Sequence, residues 1–364
     1  MKNTIGNNIT VTLFGESHGE AIGCVVDGIA PGISVDEEFI ASQMEKRKGI
    51  NSISTPRCEA DEVKILSGVF EGKTTGTPVC LMISNGNTKS KDYAATRYLA
   101  RPGHADYTAE CKYHGFQDFR GGGHFSGRIT APLVAAGAIA ISALRSKGIY
   151  IGTHISRCAD ISDREFGNIS EDIALLDTLD MPVLCEEKRK EMLSYIESVK
   201  AEGDSIGGIL STAVIGMPEG VGEPWFDNVE SMLSHALFSI PAVKGIEFGK
   251  GFEFAAMKGS QANDFFTVSD GKIVTSTNNN GGINGGITNG MPITFNLAVK
   301  PTPSIFKKQN TVDMKTKEAA ELEIKGRHDP AIIHRARVVV DSVTALVLCD
   351  LLATRFGTDY LGCD

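Results

Sequence analysis

Net positive charge is missing from this chain. Its 36 Lys and Arg face 45 Asp and Glu, a formal charge of −9 with a pI near 5.5. Such a surface has no general attraction for nucleic acid or for a phosphate-rich membrane. An anionic ligand would have to be met by cations gathered in one place. Metal-site spacing is missing too. None of the eight cysteines forms a CxxC pair, and none stands at zinc spacing from a histidine. Scattered through a long chain, they read as free thiols in a reducing compartment. Residues 1–19 have no basic-then-apolar leader layout, so a cytoplasmic protein is expected. The longest uncharged apolar stretch, 131–144, falls short of the ~18 residues that cross a bilayer and contains Pro132, so it reads as a buried helix. No proline-, serine- or charge-rich linker divides the chain, and no short repeat runs through it. The expectation is one domain over residues 1–364.

Glycine is what the chain has in excess. Forty of 364 residues are glycine, against an average of about 7%. They cluster at 121–123 and 281–286, where backbone with positive φ can approach a ligand closely. Strands are expected at 11–14, 23–26, 63–66, 78–84, 209–215 and 294–299. Helices are expected at 35–48, 131–145, 186–201 and 335–356. Asp36 is the natural N-cap of the first, and Gly49 its stop. In the third, Met192, Ile196 and Val199 share one side. Strands alternating with helices point to a layered α/β or α+β protein. The polar stretch 160–178 reads as a surface insertion.

One motif misleads. Gly68 to Thr74 looks like a phosphate-binding loop, but only three residues separate its glycines where four are needed, and no helix start follows. Three histidines are better candidates for chemistry. His18 lies in FGESHG, His104 in RPGHAD and His124 in GGGHFSGR, each among small or charged residues. Histidine exchanges protons near neutral pH. Cations gather in the same segments: Arg101, Arg120, Arg128, the run Lys46–Lys48, Lys300 and Arg327. Arginine forks suit carboxylate and phosphate oxygens. The residues alone point to an enzyme acting on a small polyanion with imidazole acid–base groups.

The segments FGESHG (14–19), VDGIAPGI (26–33), RPGHADYT (101–108), RGGGHFSGR (120–128), AEGDSIGG (201–208), KGSQAND (258–264), NNNGGINGGITNG (278–290), KPTPS (300–304) and GRHDP (326–330) follow one another in order. Together they resemble the chorismate synthase family from residue 3 to about 355. The resemblance implies a β-α-β sandwich with a pseudo-twofold core, assembled as a homotetramer. It implies a lyase that eliminates phosphate from 5-enolpyruvylshikimate 3-phosphate to give chorismate. Reduced FMN is implied as cofactor without net redox change, with NADPH as a candidate flavin reductant. It assigns His18 as acid near the leaving phosphate, His104 as proton donor at the flavin, and Asp329 as proton relay. It assigns substrate binding to Arg47, Ser126, Arg128 and Arg327. It assigns flavin binding to His124, Phe125, Ser126, Pro241, Ala242, Gly285, Lys300, Pro301, Thr302, Pro303, Ser304 and Arg327. No metal is implied.

The chain departs from the family pattern in three places. Many members carry a second arginine shortly after the first helix, where this chain has KRKGINSISTPR and Ile53. Many have arginine at position 124 and asparagine at position 241. Two other readings stand beside the lyase. One is a different FMN-dependent reductase, which would consume NADPH stoichiometrically. The other is a non-catalytic FMN- or anion-binding protein.

Overall fold

Alternation of buried and exposed side chains builds two five-stranded sheets in a computed structural model that describes residues 2–50, 53–54, 61–86, 97–324 and 328–362. The first sheet contains β1 (Thr4–Ile5), β2 (Thr10–Gly15), β3 (Ala21–Asp27), β4 (Val63–Ser67) and β5 (Val79–Ser84), in the order β1-β2-β3-β5-β4. The second contains β6 (Tyr150–Cys158), β7 (Ile161–Ser162), β8 (Gly208–Ile215), β9 (Val243–Phe248) and β10 (Ile293–Val299), in the order β9-β10-β8-β6-β7. Every pairing in both is antiparallel. In β10, Phe295, Leu297 and Val299 are buried and the residues between them are more open, as the alternation predicts.

Among the described residues, seven helices of eight or more residues complete the frame: α1 (Glu37–Glu45), α2 (Asp106–Tyr113), α3 (Thr130–Ser146), α4 (Ile169–Thr178), α5 (Glu186–Ala201), α6 (Val229–Leu237) and α7 (Ile333–Phe356). α3 and α7 are apolar nearly all round, and a helix of that kind must be buried. The apolar segment Gly127–Ser146 is long enough for a membrane span, but 83% of its apolar window is buried inside the protein. α3 lies on β3 and β5, α7 lies on β6 and β8, and the two helices pack on each other. The layers are therefore sheet, helix, helix, sheet.

The chain builds the same succession twice. The first half reads β2-β3-α1-β4-β5-α3, and the second β6-β8-α6-β9-β10-α7. In each half the third strand is an edge strand whose pairing shifts register, at 65/67 in β4 and at 243/245 in β9. α1 packs on α3 as α6 packs on α7. α4 and α5 are inserted between β6 and β8. The stretch 160–178 is thus an insertion, but its helix α4 buries Ile173 and Leu176 instead of lying loose on the surface.

α1 begins where its sequence says. The Asp36 carboxylate accepts from the backbone N–H groups of Glu38 and Phe39 at 2.9 and 3.0 Å. It stops earlier than expected, at Glu45. Residues 46–48 close a tighter turn, with Arg47 N–H donating to the Met44 carbonyl and Lys48 N–H to that of Glu45. The false phosphate loop at 68–74 is a hairpin, pairing Val69 with Thr74 and Phe70 with Lys73.

Candidate active site

The triple glycine explains how two histidines come together. Gly121, Gly122 and Gly123 all have positive φ, at 59°, 85° and 52°. A Cβ on Gly121 would lie 2.1 Å from Cε1 of His18, and one on Gly122 would lie 3.4 Å from Cε1 of His104. One tight turn therefore lies against both imidazoles, and only glycine allows it at position 121. The Gly123 carbonyl accepts from the Ser17 N–H at 3.1 Å, tying the turn to the His18 loop. His18 itself is buried. His124 Nδ1–H donates to the Gly15 carbonyl at 2.8 Å. Phe125 stands edge-on to Tyr113 and is partly exposed.

His104 is held from behind. Its Nδ1 lies 2.9 Å from Asp106 Oδ1, and the Arg101 guanidinium grips the same carboxylate at 2.7 and 2.8 Å. Burial alone would raise the pKa of Asp106. Hydrogen bonds from Arg101 and His104 outweigh it and hold the carboxyl below the usual range. The RPGHAD loop touches the KPTPS loop, where Lys300 Nζ donates to the Gly103 carbonyl at 2.6 Å. Lys300 N–H also donates to the carbonyl of Ala242, which itself has φ of 78°. Pro241 and Ala242 are thereby placed beside Lys300. Ser205 Oγ donates to the Thr302 carbonyl at 2.7 Å, and Ile206 N–H to that of Pro330 at 2.7 Å. The AEGDSIGG motif thus joins the 300s loop to the segment carrying His328 and Asp329.

Asp329 is paired with Arg335 Nη1 at the start of α7. Its neighbour His328 lies against Phe306, the rings tilted by 51° with centroids 5.6 Å apart. Burial, then the Arg101 charge, pushes the His328 pKa down. His334, six residues on, is no acid. It is fully buried with Nε2 3.1 Å from Ser54 Oγ, and burial lowers its pKa to about 3. Thr302 Oγ1 and His328 Nε2 are buried with no hydrogen-bond partner among the described residues. Buried polar atoms of that kind are costly unless something completes them. With the glycine turn and the nearby cations, they fit a polar, phosphate-bearing cofactor. Gly285 sits apart, exposed at the tip of a hairpin over Ile283–Thr288 with φ of 63° and nothing within 4 Å of where a Cβ would stand. Arg327 lies outside the described residues.

The arginines expected to bind substrate meet through a residue that sequence reasoning passed over. Asp61 accepts from Arg47 Nη1 at 3.1 Å and pairs with Arg128 Nη1. Arg128 Nε donates to Asn85 Oδ1 at 3.1 Å, and Asn85 Nδ2 donates to the carbonyls of Glu16 and Gly19 at 3.0 Å each. Ser126 Oγ accepts from the Arg128 N–H. Ile53, where many members of the resembled family carry arginine, is fully buried in the apolar core. Of the missed residues Asp106 had a local signal, five positions after Arg101. Arg335 is also near in sequence, six positions after Asp329, whereas Asp61 and Asn85 act across the fold.

The family model described as chorismate synthase matches residues 9–353. A chorismate synthase of Pyrococcus abyssi is 45% identical over 350 residues, 96% of this chain and 97% of that one. One of Dehalococcoides mccartyi is 45% identical over 360 residues, 98% of each. One of Methanosarcina mazei is 46% identical over 353 residues, 96% of this chain and 95% of that one. A crystal structure of a chorismate synthase superposes with a TM-score of 0.77 at 29% identity, covering 97% of this chain and 94% of that one.

Proposed function

Given that the chain belongs to the chorismate synthase family, we propose that its paired-histidine site performs the family's elimination with reduced FMN. The reaction itself is that of a carbon–oxygen lyase. Phosphate leaves C3 of 5-enolpyruvylshikimate 3-phosphate, a proton leaves C6, and chorismate remains. The observation that carries the site assignment is the glycine turn at 121–123, which lies against His18 and His104 at once.

In this reading Arg47, Arg128 and Ser126 meet the substrate's anionic groups, together with Arg327. Bidentate arginine contacts suit both phosphate and carboxylate. His18 gives a proton to the departing phosphate, which makes it a better leaving group. Asp106 fixes the ring of His104, so that Nε2 is the nitrogen left to carry the exchanged proton. Asp329, oriented by Arg335, relays the C6 proton. Lys300–Ser304, Pro241-Ala242, His124, Phe125, Ser126 and Gly285 would hold the flavin, with the unsatisfied Thr302 hydroxyl as one contact. Reduced FMN, when bound, supplies electron density that is returned within each turnover. NADPH is the candidate reductant that prepares it.

The same proposal includes one functional domain over 1–364, a cytoplasmic setting and a homotetramer. Exposed Phe252, Phe265, Phe266, Val268 and Ile273 supply apolar surface for copies of the chain to cover. Light scattering behind a sizing column tests that assembly.

The deciding experiment is anaerobic turnover with dithionite-reduced FMN, following chorismate absorbance and phosphate together. Equal release of both with the flavin still reduced is expected. Flavin oxidised in step with product, or NADPH consumed in step with it when NADPH replaces dithionite, would overturn the elimination.

A further inference from the structure

Two guanidinium groups that are to bind one small anion must first be brought side by side, although they repel. Arg47 follows the end of α1 and Arg128 precedes α3, 81 positions apart in the chain. Asp61 stands between them. Its two carboxylate oxygens are divided, Oδ2 to Arg47 and Oδ1 to Arg128. The side chains of Arg47, Asp61 and Arg128 are only 13%, 8% and 9% exposed, so water screens these pairs weakly. Asp61 has φ of 45°, a left-handed conformation that Asp tolerates better than most residues. Strained backbone held in place beside a binding site is a recognised mark of function. Arg128 is anchored on its other side by Asn85, which also grips the loop carrying His18.

We propose that Asp61 is a positioning residue that holds Arg47 and Arg128 as one preassembled anion-binding pair. It touches neither substrate nor flavin in this assignment. Its carboxylate offsets the repulsion between the two forks and fixes the angle at which they stand, while Arg47 Nη2 is steadied by the Gly127 carbonyl and Thr130 Oγ1. The inference rests on the reading that these arginines face the substrate. The charge carried by a bridging carboxylate is the essential feature, so its shape alone does not suffice.

The test measures substrate binding by calorimetry, and KM and kcat with reduced FMN under anaerobic conditions. Asp61→Asn keeps the shape and removes the charge. We expect its Kd and KM for 5-enolpyruvylshikimate 3-phosphate to rise at least about tenfold, while kcat falls less. Asp61→Glu keeps the charge and should lie between Asn and wild type. Combining Asp61→Asn with Arg47→Lys should cost less than the sum of the single changes, because both act through one pair. Unchanged Kd, tighter binding, or strict additivity would overturn the assignment. Tighter binding in particular would mean that Asp61 competes with substrate for the arginines. Should Asp61→Asn not fold, Asp61→Glu alone decides, a raised Kd being expected and an unchanged one fatal. Wild type that binds substrate but releases no chorismate would refute the catalytic reading while leaving the calorimetric test of Asp61 intact.

Discussion

Gly121→Ala would put a methyl carbon 2.1 Å from the His18 ring on a backbone with φ of 59°. The ring must move, and displacement of a catalytic group by about 1 Å costs on the order of 10²-fold in rate. A comparable fall in kcat with a modest loss of stability is expected; normal turnover would show that His18 need not stay where the turn holds it. Asp106→Asn tests the support behind His104. Removing the carboxylate breaks its bonds to Arg101 and His104, a loss of roughly 2–3 kcal/mol at neutral pH. The sign of the pH effect follows from the lowered pKa of Asp106. Its contribution is whole above the unfolded value of about 4 and fades as the pH falls toward the folded value. Urea unfolding at pH 7 and pH 3 should therefore show the gap between wild type and variant shrinking in acid. These side chains were unequally legible. His18, His104 and Asp329 stand in recognisable motifs, and the structure shows what surrounds them. Asp61 was invisible because its value depends on two partners brought to it by different helices. The lack of a cation at Ile53 could be read from the chain, but its burial in the core could not.

At the level of elements, α3 and α7 meet where Gly137 faces Ser342. A Cβ on Gly137 would fall 2.2 Å from Ser342 Cβ and 2.5 Å from its Cα. Gly137→Ala would normally favour a helix by up to about 1 kcal/mol. Here the clash should win, with a net loss of about 1–3 kcal/mol from overpacking. Urea midpoints provide the check, and adding Ser342→Gly should recover part of the loss. Equal or greater stability of Gly137→Ala would mean that the two helices can part at no cost. The long elements were legible because burial imposes its period on them. α5 spans Glu186–Ala201 as expected, and Met192, Ile196 and Val199 are its buried face. The hairpin pairing Phe266–Ser269 with Lys272–Thr275 was not legible, since its apolar residues point outward and obey no local burial rule. α1 ended early because three cations in a row prolong a helical pattern on paper, while the real chain turns to deliver Arg47.

The whole molecule is two similar halves joined at the α3–α7 layer, and the join is not wholly apolar. Asp341 of α7 is buried against the second sheet, accepting from Thr153 Oγ1 of β6 at 2.6 Å, while Thr153 meets Thr212 of β8 at 2.8 Å. Arg337, one turn earlier, donates to the Leu179 carbonyl at 3.0 Å. Asp177 of α4 binds Lys46 at 3.0 Å and Arg145 of α3 at 2.7 Å. Strand, inserted helix and both central helices thus share one charged network, which a one-dimensional pattern of apolar positions cannot reveal. Burial raises Asp341 from 3.8 to about 6, and the Arg337 charge only partly opposes it. The folded protein therefore keeps this proton after the unfolded chain has lost it. Stability attached to the proton is full below pH 4 and is lost as the pH rises through about 6. Asp341→Asn cannot ionise and escapes that loss. Relative to wild type, its unfolding free energy should gain about 3 kcal/mol between pH 4 and pH 7. The gain should level off above pH 7, whatever fixed offset the lost charge leaves beside Arg337. A difference between the two proteins that stays flat across this range would mean that Asp341 is already ionised at pH 4, and that the cations of the join, not burial, govern it.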